Sequence, residues 1–444
     1  MSKILIQGGQ IIDPANQIDR LGVVAIAEGK VIAVTDKIPS NFTPDQIIDA
    51  KGQIVCPGFI DLSTRLREPG QSRKATFNSE VTAAASAGIT TMCLQPDTQP
   101  VIDTPAVVEL IKGLAEQCAY TNIYPIAALT QKLAGQELSA MLGLKQAGCI
   151  AVSNANQPIQ NLLVLRRAME YAASHDLLLM FRPQDLSLSN QGCVHEGAVS
   201  TRYGLPGIPE AAETIALAQC LELAELTGCR IHFSQISGWR SIIKIQQAKK
   251  YGLKVSADVA IHQLLLTEDD IEPFNSAYHV IPPFRSSRDR QALREAIANN
   301  IIEAICSDHQ PHDIDAKLGA FPETEPGISA LETLLPLMLK LVEKGVFSLS
   351  QGIAALTQRP AAIIRQPKGS LSVGTSADIC VFDPHAVWQV NEQHWRSQGK
   401  NTPYWDQTMT GKVSHTIQNG SLIFSTTHSV RPNRRLLERS TNRT

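Results

Sequence analysis

Short apolar runs rich in β-branched residues recur between residues 57 and 308, separated by stretches with helical periodicity. The runs are PGFIDLS, GITTMCLQP, TNIYPIAAL, GCIAVSN, LLLMFRP, CRIHFSQ, LKVSADV and IEAICSD, and they predict eight strands, each followed by a helix. Helix punctuation supports this reading. Thr104-Pro105 is an N-cap followed by proline at the first helical position, and Pro209 opens a helix that ends at Gly228. Eight strand–helix units predict a (β/α)8 TIM barrel over residues 57–365.

The flanks differ. Residues 3–36 alternate short strand-like runs with turns, Glu28-Gly29 standing at a hairpin position, and the same texture resumes after residue 369 in GSLSVGTSADICVFDP and GKVSHTIQNGSLIF. The two ends are therefore expected to build one small β-sandwich domain from residues 1–56 and 366–425. The final stretch, 426–444, is polar and arginine-rich, and reads as a solvated tail or a partner contact.

Composition narrows the function. Lys plus Arg number 40 and Asp plus Glu 42, a net charge of −2, so nothing draws the chain to nucleic acid or anionic lipid. No window approaches the roughly 18 apolar residues of a membrane span, and the start, MSKILIQGGQIID, lacks a leader pattern. A cytoplasmic protein is expected. Nine scattered cysteines, none as Cys-x-x-Cys, read as reduced core thiols.

Barrel enzymes place their chemistry where strands end. Here those ends carry Ser63 and Arg65 (first strand), Asp97 (second), Asn154 (fourth), Arg182 (fifth), Gln235 (sixth) and Asp308 (eighth). Only Asp308 is a plausible hard metal ligand.

The segments GGQIIDP, CPGFIDLSTRLREPG, GAVSTRYGLPGIPEAAE, SDHQPH, GISALETLLP and GTSADICVFDP, spread over almost the whole chain, resemble the amidohydrolases, and among them the class I dihydroorotases of pyrimidine biosynthesis. The resemblance implies the amidohydrolase barrel, a His-x-His-x-Arg end to the first strand, an Asp-Asp-Gly turn after the fourth, histidines from the fifth and sixth, and an aspartate from the eighth. In such a site two zinc ions activate a hydroxide. In this chain the His-x-His positions are Ser63 and Arg65, the turn is Asn154-Ala155-Asn156, and the two later histidines match Arg182 and Gln235. Serine, asparagine and glutamine are poor zinc ligands, and a guanidinium has no lone pair to give. No metal and no cofactor are expected.

The substrate positions are mixed. Arg67, which the resemblance assigns to a substrate carboxylate, and His312 are retained. An asparagine position is Asp97, whose charge would oppose an anionic substrate, and another is Ile281. His309, His312, His232 and His262 read as barrel residues held by hydrogen bonds, and Cys306 as an apolar strand residue without an activator.

The resemblance extends to the non-catalytic dihydroorotase-like chain, a pseudoenzyme, that accompanies aspartate carbamoyltransferase in some bacteria. It implies a hetero-oligomer, a dodecamer of six and six, with catalysis in the partner. Two other readings are a metal-independent or single-metal cyclic amidohydrolase using Asp308 with Arg65, Arg67 and Arg182, and a small-anion sensor using the arginine-lined pocket. If the metals are gone, Arg65 and Arg182 are expected to cross the former metal cavity and supply donors to Asp308.

Overall fold

The structure, a computed structural model, describes residues 3–118, 122–271 and 274–426. Eight parallel strands line up in chain order as Phe59–Thr64, Ile89–Leu94, Asn122–Ala128, Ala151–Ser153, Leu178–Phe181, Arg230–Phe233, Val255–Ala260 and Ala304–Cys306. They coincide with the eight apolar runs. The first two are buried along their whole length, as expected for strands sandwiched between a barrel interior and a ring of helices.

The last residue of the first strand and a residue just past the eighth close the barrel. Thr64 and His309 form a parallel bridge, with Arg65 N donating to His309 O at 3.0 Å and His309 N to Ser63 O at 3.2 Å. This seam matters for the site: it fixes Ser63, Arg65 and Asp308 beside one another through the backbone.

The helix signals hold. One helix runs Pro105–Cys118 with proline at its first position, and another runs Glu210–Thr227, ending on Gly228 at φ 66°. The helix Phe77–Ser86 opens with a box in which Thr76 Oγ1 accepts from Ser79 N at 3.1 Å.

Both chain ends contribute to one eight-stranded sheet. Its seam is the antiparallel pairing of Ile54–Pro57 with Ile379–Gln389, which sets Cys56 opposite Cys380. Ile4, Ile6, Val24, Ile26, Val55, Ile379, Val381 and Ile417 form its core. Glu28 and Gly29 make the hairpin turn with φ of 52° and 79°. The sheet packs against the barrel at Gly88, where a Cβ would lie 2.4 Å from Cys380 Sγ, so only glycine fits. All nine cysteines are free thiols, and all but Cys118 are buried. Residues 427–444, nearly the whole arginine-rich stretch, lie outside the described residues. Among the described residues no helix is long and apolar enough to cross a membrane.

Candidate functional site

At the C-terminal mouth of the barrel, the residues that resemblance places at metal positions bond to one another. Gln235 Nε2 donates to Ser63 Oγ and to Asp308 Oδ1, both at 2.7 Å. Gln310 Nε2 donates to the same carboxylate oxygen at 3.1 Å. Arg65, only 4% exposed, donates from Nε to Asp97 Oδ2 at 2.7 Å and brings Nη1 to 3.8 Å from Asp308 Oδ1. The backbone at Arg67, Gln235 and Asp308 is left-handed, with φ of 62°, 58° and 50°. For residues with a Cβ such strain costs on the order of 1–3 kcal/mol each and clusters where side chains must be aimed.

Charge follows from this geometry. Burial pushes the Asp308 carboxyl up to about 6, against the pull of Arg65 and Arg182. Burial would also raise Asp97, but its direct contact with Arg65 outweighs that and holds it below the ordinary carboxylate value. Asp97 therefore does not present a free negative charge to an anion, as its identity alone suggests; Arg65 neutralises it.

Arg182 departs from expectation. Its Nη1 donates to Ile281 O at 2.8 Å and its Nη2 to Gln184 Oε1, so it ties down the neighbouring loop rather than bonding Asp308. Local acceptors sit closer to its fork than the carboxylate does. Burial and the Arg65 charge lower its pKa to about 10. Arg67 is also engaged within the chain, with Nε on Pro311 O at 2.9 Å and Nη2 3.0 Å from His312 Nε2. Burial and the Arg67 charge depress His312 to about 2, leaving a neutral imidazole. Asn154 closes its own turn: it accepts from Thr130 Oγ1 and donates to Leu133 O and Gln157 O.

Among the other histidines, His232 bonds Ser256 and Asp258, and His309 bonds Glu80. His262 instead stacks edge-on against Phe284 at 5.6 Å, and burial lowers its pKa to about 3. Residues not singled out in the sequence complete the mouth. Glu80 is fully buried and holds His309. Glu213 accepts from Ser237 N, Ser237 Oγ and Gly238 N and lies 3.7 Å from Arg285 Nη2. Both carboxylates interrupt apolar helical stripes, with Phe77 and Ala84 around Glu80 and Leu217 and Cys220 following Glu213, and that interruption is a readable signal.

Zinc does not fit these residues. A metal beside Asp308 would meet amide N–H donors from Gln235 and Gln310 instead of lone pairs, and would share the space with a permanent guanidinium cation. Among the described residues no group of three or more His, Cys, Asp or Glu could hold a metal ion.

Comparison with known proteins fixes the family. A family model described as dihydro-orotase-like matches residues 52–241. The dihydroorotase-like protein of Pseudomonas aeruginosa is 44% identical over 419 residues, covering 94% of this chain and 99% of that one. The chain belongs to the dihydroorotase-like family. A dihydroorotase-like protein of Pseudomonas putida is 45% identical over 94% of this chain and 98% of its own length. A protein named dihydroorotase, from Syntrophus aciditrophicus, is 40% identical over 95% of this chain and 99% of its own. The fold is shared with the L-hydantoinase (dihydropyrimidinase) of Arthrobacter aurescens, TM-score 0.87 at 22% identity, covering 97% of this chain and 98% of that one.

The Asp308 environment gives a pH prediction for this dihydroorotase-like chain. A folded pKa raised from 3.8 to about 6 means that ionising the group costs stability: its favourable contribution is complete below 3.8 and is lost as pH rises through 6. Asp308→Asn keeps an oxygen for the Gln235 and Gln310 donors and removes that cost, leaving Arg65 balanced by Asp97 alone. At pH 7 the variant is expected to exceed the parent in unfolding free energy by about 2–3 kcal/mol, and near pH 4 to match it. Denaturant unfolding at the two pH values checks this; a difference independent of pH would show that Asp308 is ordinary.

Proposed function

We propose that this chain is a non-catalytic dihydroorotase-like subunit that assembles with aspartate carbamoyltransferase and supports it in pyrimidine (UMP) synthesis. The reading rests on the family and on one observation. The side chains at the mouth of the barrel bond mainly to one another: Asp308 spends Oδ1 on Gln235 and Gln310 and faces Arg65 at 3.8 Å, Asp97 is paired with Arg65, and Ser63 is bonded to Gln235. A barrel that keeps its fold while its mouth closes on itself serves something other than its own chemistry. The resemblance to the chain that accompanies aspartate carbamoyltransferase names the partner, and a six-plus-six dodecamer is the assembly it implies.

One observation favours a second reading. A carboxyl near 6 is poised for general-base work, so Asp308 with Arg65, Arg67 and Arg182 could serve a metal-independent hydrolase. Against it, two amide donors already occupy that carboxylate and the Arg65 guanidinium stands 3.8 Å away.

Co-expression with the transferase chain of the same organism separates the readings. The proposal expects the two chains to co-elute on size exclusion at micromolar concentration as one large complex, with transferase activity several-fold above that of the transferase alone. Separate elution together with a transferase fully active by itself would remove the assembly role.

A further inference from the structure

The barrel has a second cationic cavity, at the end opposite the mouth. It measures about 520 Å³ and opens among the N-terminal ends of the fifth to eighth strands, where Arg230, Lys254, Arg359 and Arg365 line it together with one acid, Glu303. That acid is already used: its Oε1 bonds Lys249 Nζ and its Oε2 accepts from Ala257 N. Arg365 pairs with Asp176 on the surface. Both carboxylates are bonded to other cations, Glu303 to Lys249 and Asp176 to Arg365, and act on Arg359 and Arg230 only through longer-range attraction. The two arginines are also incompletely bonded. Arg230 spends Nη1 on Ile363 O at 3.0 Å, but its Nε and the Nη1 of Arg359 are shielded from solvent with no hydrogen-bond partner. Guanidinium donors without acceptors are costly, and the cavity is lined by more cations than acids. Burial lowers the pKa of both, against the weaker pull of Asp176 on Arg230 and of Glu303 on Arg359.

We propose that this cavity binds a small, multiply charged anion of the phosphate class, held by the Arg230 and Arg359 guanidinium groups with Lys254 at the rim. Planar guanidinium forks match phosphate oxygens, and the apolar floor at Leu178, Val255 and Ile363 leaves the anion few competing water contacts. Ligands of such barrels ordinarily bind at the C-terminal face. Here that face is largely filled by its own side chains, and this cavity carries an excess of cations over acids. The proposal is independent of the assembly role.

Isothermal titration of the full chain with inorganic pyrophosphate is the test. One saturable site is expected, with Arg230→Gln and Arg359→Gln each weakening binding about tenfold or more. Lys254→Gln, on an exposed residue whose loss cannot unfold the barrel, is expected to weaken it about threefold and so covers the case of an arginine variant that folds poorly. Absence of saturation up to about 10 mM, far above the range of a specific site, would overturn the proposal. Unchanged affinity in all three variants would overturn it equally, placing the anion elsewhere.

Discussion

Arg65→Leu is expected to lower the unfolding free energy by about 3–5 kcal/mol at pH 7, a large fraction of the stability of an ordinary domain. Arg65 is 4% exposed and stands between two carboxylates, 2.7 Å from Asp97 and 3.8 Å from Asp308. A buried ion pair adds little net stability, yet removing one partner strands the other in a medium that cannot solvate it. Here the deletion strands the buried Asp308 and also leaves Asp97, 26% exposed, without its partner. The sign of the pH effect follows: without the guanidinium Asp308 is pushed above its present value of about 6 and takes up a proton, so the deficit of the variant shrinks as pH falls from 7 to 5. Chemical denaturation at both pH values measures this. A loss below about 1 kcal/mol at pH 7 would place Arg65 with exposed pairs, whose removal costs little.

The second large effect is expected at Glu80. This fully buried carboxylate accepts from His309 Nε2 and Ser397 Oγ, both at 2.7 Å, from Gln398 N at 3.0 Å and from Ser79 Oγ at 2.8 Å. His309 Nδ1 in turn lies 3.1 Å from Ala330 N, so the neutral imidazole with its proton on Nε2 satisfies both neighbours. Because His309 also carries the backbone bonds that close the barrel, Glu80 ties the first helix, the closing seam and the 397–398 segment into one unit. Glu80→Ala removes the shared acceptor of four donors. Each buried orphan costs about 1–3 kcal/mol without strict additivity, so a loss of about 4 kcal/mol is expected, with Glu80→Gln intermediate. Equal thermal stability of parent and Glu80→Ala would show that water takes over all four bonds.

These two residues mark where the sequence was legible. The eight strands stand out because each is a short apolar run between helical periods, and the strand ends follow from them, which places Ser63, Arg65, Asn154, Arg182, Gln235 and Asp308 at the mouth from the sequence. Partner choice was not legible. Whether Arg182 reaches Asp308 or bonds Ile281 O depends on where the 281–283 loop runs, and no local pattern encodes that. The Asp97–Arg65 pair is likewise a long-range contact between the first and second strand ends, so the charge of Asp97 looked exposed when it is balanced. Glu80 left a trace, a carboxylate within a stripe of Phe77, Val81 and Ala84, but its partners come from residues 309 and 397–398, far away in sequence.

Turnover is the most direct test of the account. The purified chain, supplied with excess zinc, is incubated with dihydroorotate and separately with carbamoyl-aspartate, and the conversion is followed against buffer. With Arg65 beside Asp308 and amide donors on its oxygen, conversion is expected to stay at the rate of buffer. Sustained zinc-dependent turnover, lost in an Asp308→Asn variant that still folds, would contradict the proposal that this member of the dihydroorotase-like family is non-catalytic.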